Sequence, residues 1–217
     1  MKPPVLYIVV PCYNEQEVLP ETSKRLRHLV RELTGQGKID PASRITLVDD
    51  GSKDNTWKII SELCDRHECI EGLKLAHNAG HQNALWAGLM TVKDKADAAV
   101  SIDADLQDDV EAIRGFLEEY DKGADVVYGV RSKRETDTAF KRLTAEGFYK
   151  FMNFMGADVV YNHADYRLLS QRALQALSQF GEVNLFLRGM VPMLGFKTAK
   201  VYYERAERFA GESKYPL

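Results

Sequence analysis

Apolar runs alternate with helical spacing along the first 131 residues. Val5 to Asn14 opens with VLYIVVP, a near-continuous apolar run that predicts a strand buried on both faces and stopped at Pro11. From Glu15 to Leu33 the positions Val18, Leu19, Leu26, Leu29, Val30 and Leu33 share one helical face. RITLVDDGS predicts a second buried strand, ending in acids and glycine, and a helix from Asp54 places Trp57, Ile60, Ser61 and Cys64 at helical intervals. IEGLKLAH predicts a third strand and Gln82 to Val92 a third helix. DAAVSIDAD predicts a fourth strand, Val110 to Tyr120 a fourth helix and DVVYGVR a fifth strand. This alternation predicts an α/β fold: a mostly parallel sheet flanked by helices on both faces.

After Arg131 the pattern changes. Lys133, Arg134, Lys141, Arg142 and Lys150 form a basic stretch, and TAFKRLTAEGFYKFMNFMG reads as an amphipathic helix rich in Phe and Met. ADYRLLS predicts a short strand or turn, Gln171 to Gln179 and Asn184 to Met193 predict helical segments, and TAKVYYERAER a late strand. With no repeat or flexible linker, residues 1–217 read as one domain in two halves, 1–131 and 132–217.

Composition narrows the class. A formal net charge of -3 does not suggest nonspecific nucleic-acid binding. Cys12, Cys64 and Cys69 make neither a complete disulfide set nor a zinc pattern, which fits a reducing compartment. There is no secretory signal, and no stretch reaches the roughly 18 apolar residues of a membrane span. The ending ERAERFAGESKYPL has no closing helix or strand and reads as a segment cut short.

The polar motifs all fall where strands end: Tyr13-Asn14-Glu15, Asp49-Asp50-Gly51-Ser52, Asn78 to His81, and Asp103 to Gln107. In open α/β sheets ligands bind at the carboxyl ends of strands, so these clusters converge on one site. In extended chain, Asp103 and Asp105 point the same way and can present two carboxylates to one cation. Magnesium is usually held by one or two carboxylates plus substrate phosphates, manganese suits the same oxygens, and Gln107 could add a carbonyl. The bland alternative is a solvated acidic loop. Asp108 and Asp109 are read as the acids of a helix start. Two acids at Asp49 and Asp50 exceed what a turn and a cap need, and a carboxylate there can accept from a base N–H or a ribose hydroxyl. Tyr13 either stacks on a base or is a half-buried core aromatic. No G-x-G-x-x-G follows the first strand and no P-loop appears, which counts against a dinucleotide dehydrogenase and a P-loop NTPase. His77 and His81 lack companions at metal spacing and are read as polar loop residues.

PCYNE, DDGSKDNT, NAGHQNA, DADLQD and ERFAGESKY, in this order, resemble the inverting family 2 glycosyltransferases. The chain is most similar to the bacterial polyprenyl-phosphate glycosyltransferases, relatives of dolichol-phosphate mannose synthase. The resemblance implies a GT-A fold, the Rossmann-like fold of nucleotide-diphospho-sugar transferases. It implies that Pro11, Tyr13, Glu15 and Asp50 hold the nucleoside, with Asp50 near the uracil. Asp103, Asp105 and Gln107 would hold a divalent cation, magnesium or manganese, on the diphosphate. Arg131, Arg208 and Lys214 match phosphate-binding positions. Asp165 in ADYRLL matches an acid at the reacting centre, with the salt bridge to Arg167 as its bland reading. Two departures are Tyr166 and Ala79, each where Phe is frequent.

The implied activity is transfer of a hexose from a UDP-sugar to undecaprenyl phosphate, with inversion, at the cytoplasmic face of a bacterial cell membrane. UDP-glucose is favoured over UDP-N-acetylglucosamine and UDP-galactose on family frequency alone. The second half would then be the acceptor side, with Phe148, Phe151, Met152, Phe154 and Met155 at the lipid surface and transmembrane helices following Leu217. The alternatives are a soluble transferase acting on a polysaccharide or glycan, and a non-catalytic sugar-nucleotide-binding protein. A homo-oligomer is left open.

Overall fold

The structure, a computed structural model, describes residues 2–132, 163–181 and 185–206. The strands are β1 (Leu6–Cys12), β2 (Arg44–Asp49), β3 (Ile70–Lys74), β4 (Ala98–Ser101), β5 (Val126–Arg131), β6 (His163–Ser170) and β7 (Thr198–Tyr203). The helices are α1 (Leu19–Gly35), α2 (Thr56–Arg66), α3 (His81–Val92), α4 (Ala112–Asp121), α5 (Gln171–Leu177) and α6 (Leu187–Met193). All seven strands form one sheet, in the order β3-β2-β1-β4-β6-β5-β7.

The period-two pattern of the strands decides what each face packs against. Leu6, Ile8, Val10 and Cys12 face α1 and α4 together with Ile45, Leu47 and Val100. Tyr7 and Val9 face α3, α5 and α6 with Val48, Ala99 and Leu169. Both faces are therefore covered, which is why the strands read as continuous apolar runs.

The short strand or turn expected at ADYRLLS is an eight-residue strand, β6, antiparallel to both β4 and β5. Every other pairing in the sheet is parallel. Reversal puts the start of β6 just past the end of β4. Pro11 also has a positional reason. The β1–β4 pairing ends at Val9 and Ser101, so the missing N–H of Pro11 falls just beyond the ladder on that side. The strands part there, and the crevice at the carboxyl ends of β1 and β4 is the switch point of the sheet.

Candidate active site

Three loops build one wall of the crevice. Asn14, at φ 52°, turns the chain out of β1, and its backbone N–H donates to Ser52 Oγ (3.0 Å) while Lys53 N–H donates to Asn14 Oδ1 (2.9 Å). Glu15 N–H donates to Thr56 Oγ1 (2.8 Å). A cavity of about 460 Å³ opens here, lined by Asn14, Glu15, Gln16, Val18, Lys53 and Asp54 among others. Gly51 has φ 65°, and a Cβ on it would lie 2.5 Å from Asn78 N, so the β2 and β3 loops touch backbone to backbone. Buried Asp50 accepts the N–H groups of Ala79 (2.7 Å) and Gly80 (3.0 Å). It thus holds the loop before α3. Of the nucleoside residues named from sequence, Pro11 lies within β1, while Tyr13 and Glu15 are half-buried at the strand's exit.

The carboxylates meet at the crevice floor. Ile102, Ala104 and Leu106 are buried and Asp103, Asp105 and Gln107 are half-buried, but the segment is not the extended one expected: the chain turns at Ala104 and Asp105, and Leu106 has φ 57°. Gln107 N–H donates to Asp105 Oδ1 (3.1 Å). The Gln107 side-chain carbonyl accepts from the Arg205 guanidinium, and Ala206 N–H donates to the Gln107 backbone carbonyl (2.9 Å). Burial, and then the neighbouring carboxylates Asp108, Asp105 and Asp165, push the Asp103 carboxyl up to about 6 against the pull of His81. Among the described residues, no three His, Cys, Asp or Glu side chains form a metal cage by themselves. Two crowded carboxylates fit the small protein complement that magnesium or manganese takes when phosphates supply the rest. A cation there would relieve the repulsion.

Asp165 enters from β6. Ser101 Oγ donates to its backbone carbonyl and fixes the strand end against β4. One carboxylate oxygen is paired with Arg167, two residues on along the same strand face. The other accepts from Gln82 Nε2 (3.0 Å) and from Arg188 (3.1 Å). His81 Nε2 lies 3.6 Å from both Asp165 and Asp103. Burial would raise the Asp165 carboxyl, but His81, Arg167 and Arg188 together hold it well below the usual carboxylate range. Burial lowers His81, and Asp165 and Asp103 more than reverse that, leaving its pKa raised. The salt bridge to Arg167 and the position at the crevice are therefore both real. Asp165 is an ion-paired carboxylate that stays charged.

Two readings from sequence need correction. Asp109 does start the turn into α4, accepting the Glu111 N–H (3.0 Å). Asp108 does not: it is buried, and its Oδ1 accepts from Tyr203 Oη (2.6 Å) and from Arg131 Nε (3.1 Å) and NH2 (3.0 Å). Arg131 is thus committed to a carboxylate at the end of β5. His81 is not a bystander of the loop, since the first turn of α3 brings it between the two acids. Gln82 and Arg188 were likewise not singled out from sequence. NAGHQNA pointed to the cluster, but nothing local linked Arg188 to Asp165. Arg208, Lys214 and the basic Phe/Met segment lie outside the described residues. No helix among the described residues is long and apolar enough to cross a membrane.

Comparison with known proteins agrees with this geometry. The glucosyl-3-phosphoglycerate synthase of Mycobacterium tuberculosis, solved with Mn2+, UDP and phosphoglyceric acid, superposes with a TM-score of 0.64 at 17% identity, over 96% of this chain and 72% of that one. The mannosyl-3-phosphoglycerate synthase of Rubrobacter xylanophilus superposes at 0.61 and 17%, over 94% and 68%. The uncharacterized glycosyltransferase YkoT of Bacillus subtilis (strain 168) is 55% identical over 99% of this chain. The prophage bactoprenol glucosyl transferase homolog of Escherichia coli (strain K12) is 39% identical over 96% of it. The chain spans 64% of the length of the first relative and 66% of the second. The profile of Glycosyl transferase family 2 matches residues 7–178. With the switch-point crevice, the paired carboxylates and these relatives in agreement, the chain belongs to glycosyl transferase family 2, on a GT-A fold.

Proposed function

We propose that this chain is the catalytic domain of an inverting, metal-dependent glycosyltransferase. It moves glucose from UDP-glucose to undecaprenyl phosphate at the cytoplasmic face of the membrane. The observation that carries the reading is the meeting of Asp103 and Asp105 with Asp165 across one crevice, bridged by His81 at 3.6 Å from two of them. Relatives named bactoprenol glucosyl transferases support the lipid acceptor and the glucose.

Asp103 and Asp105 would hold the divalent cation, which when bound supplies charge neutralisation for the departing diphosphate. An acceptor phosphate oxygen forms its bond to the sugar's anomeric carbon as the bond to the UDP oxygen breaks. A phosphate monoester is already largely ionised near neutral pH, so it needs little help losing a proton. Asp165, kept ionised by its cations, is suited to stabilise positive character at the anomeric carbon and poorly suited to take a proton. Tyr13 and Glu15 line the nucleoside end.

The test is direct. The full-length protein is incubated with undecaprenyl phosphate and a panel of UDP-sugars, with and without chelator, and the lipid product is weighed by mass spectrometry. A glucosyl lipid formed only with the divalent cation is expected. Transfer to a soluble glycan alone would replace the lipid acceptor in this reading.

A further inference from the structure

Asp165 is paired with two arginines, in a crevice that also holds the carboxylates of Asp103 and Asp105. Arg167, with a side chain 2% exposed, already neutralises it inside the protein. Arg188 approaches the other oxygen from α6, and its side chain is 47% exposed. One guanidinium contact goes to Asp165, and among the described residues the other donors of its fork have no acceptor. Arg188 therefore offers spare donors at the mouth of the crevice, in a group built for bidentate binding of phosphate.

The outward face of the same helix is apolar. Leu187, Met190 and Val191 are buried beneath it, while Phe186 is 62% and Met193 73% exposed. Phe186 precedes the first turn, and Gly189 and Met193, four residues apart, share one face of the helix. A Cβ on Gly189 would meet the Phe186 ring at 2.6 Å, so the glycine lets the ring lie against the helix instead of swinging free. An exposed aromatic on the same short element as a half-exposed guanidinium with spare donors matches a ligand with an anionic head and an apolar tail.

We propose that Arg188 and the Phe186–Gly189–Met193 face form the acceptor subsite for a polyprenyl phosphate, Arg188 taking the phosphate and the helix face the first isoprene units. This rests on the function proposed above. The contact of Arg188 with Asp165 sets the phosphate beside the carboxylate that faces the anomeric carbon.

The test uses the full-length protein, with two readouts. The first is binding of farnesyl phosphate, by calorimetry, which requires no turnover. The second is the initial rate against undecaprenyl phosphate and UDP-glucose, each varied in turn. Arg188→Gln should weaken farnesyl phosphate binding and raise the acceptor KM by about tenfold to a hundredfold, with UDP binding within about twofold of the parent. Arg188→Lys should restore part of the loss. Phe186→Ser should weaken farnesyl phosphate more than inorganic phosphate. Unchanged farnesyl phosphate affinity in Arg188→Gln overturns the subsite, as does a fall in kcat with the acceptor KM unchanged, which would reduce Arg188 to a positioning residue for Asp165. If the parent binds farnesyl phosphate through Arg188 yet glucosylates no polyprenyl phosphate, the subsite stands and the transfer reaction fails. If it glucosylates the lipid and Arg188→Gln does so with the same acceptor KM, the reverse holds.

Discussion

Asp165 and Arg167 are each nearly sealed from solvent, at 5% and 2% side-chain exposure, and that decides what their substitution does. Removing one partner of a buried pair typically costs about 3–5 kcal/mol, because the other charge is left unpaired. Asp165→Asn is therefore expected to lower Tm on the order of 10 °C as well as to cut turnover about tenfold to a thousandfold. Thermal denaturation beside the transferase assay separates the two effects, and an unaltered Tm would show that Arg167 does not depend on this carboxylate. The folded pKa of Asp165 lies below its unfolded value. Its stabilising contribution is thus present above about pH 4 and is lost as the pH falls through the folded pKa. The rate profile between about pH 5 and 8 should then contain no limb from Asp165. For Asp103 and Asp105, replacement of either by Ala should nearly abolish turnover and weaken UDP binding, as chelation should in the parent. Full activity in excess chelator would end the metal assignment.

At the level of elements, α3 is the part that must sit close. A Cβ on Gly88 would come within 2.4 Å of Val9 Cγ1 and 2.8 Å of Val48 Cγ2, so the helix rests on β1 and β2 through a glycine. Overpacking of this kind costs typically about 1–3 kcal/mol. Gly88→Val should lower stability by that amount in urea titration. It should also reduce turnover, because His81 and Gln82 sit on the first turn of the same helix and reach Asp165 from there. A destabilised variant with full turnover would show that the start of α3 is held independently of its packing. A helix over Gln82 to Val92 is read from the sequence. The need for a glycine at the closest approach is not, since it depends on two valines from different strands.

For the whole molecule, Asp108 ties the loop of Asp103 and Asp105 to β5 and β7, through Arg131 and Tyr203. Arg205 and Ala206, just past β7, bind the same loop at Gln107. The two halves of the chain thus meet at the acids. Tyr203→Phe removes a 2.6 Å hydrogen bond to a buried carboxylate. A loss of about 1.5–3 kcal/mol follows from the strength of hydrogen bonds to charged groups. If β7 also steadies the acids, UDP affinity in the presence of the cation should fall several-fold, read by calorimetry. Lost stability with unchanged UDP affinity would confine Tyr203 to a structural role.

Local pattern by itself determined the alternating elements, the two-faced sheet and the gathering of the polar motifs at strand ends. It also singled out Asp103 and Asp105 as a pair, although the extended segment it assumed is a turn. Each of these depends on periodicity or on a neighbour a few residues away. Tertiary structure alone decided that β6 runs antiparallel, which carries Asp165 to the crevice instead of the opposite end of the strands. It alone set Asp108 against Tyr203 and Arg131, so that one of two adjacent acids starts a helix and the other is buried. It also brought His81, Gln82 and Arg188 around Asp165, Gln82 from 83 residues away and Arg188 from 23. Such encounters are settled by strand order and packing across the sheet, and sequence spacing holds no record of them.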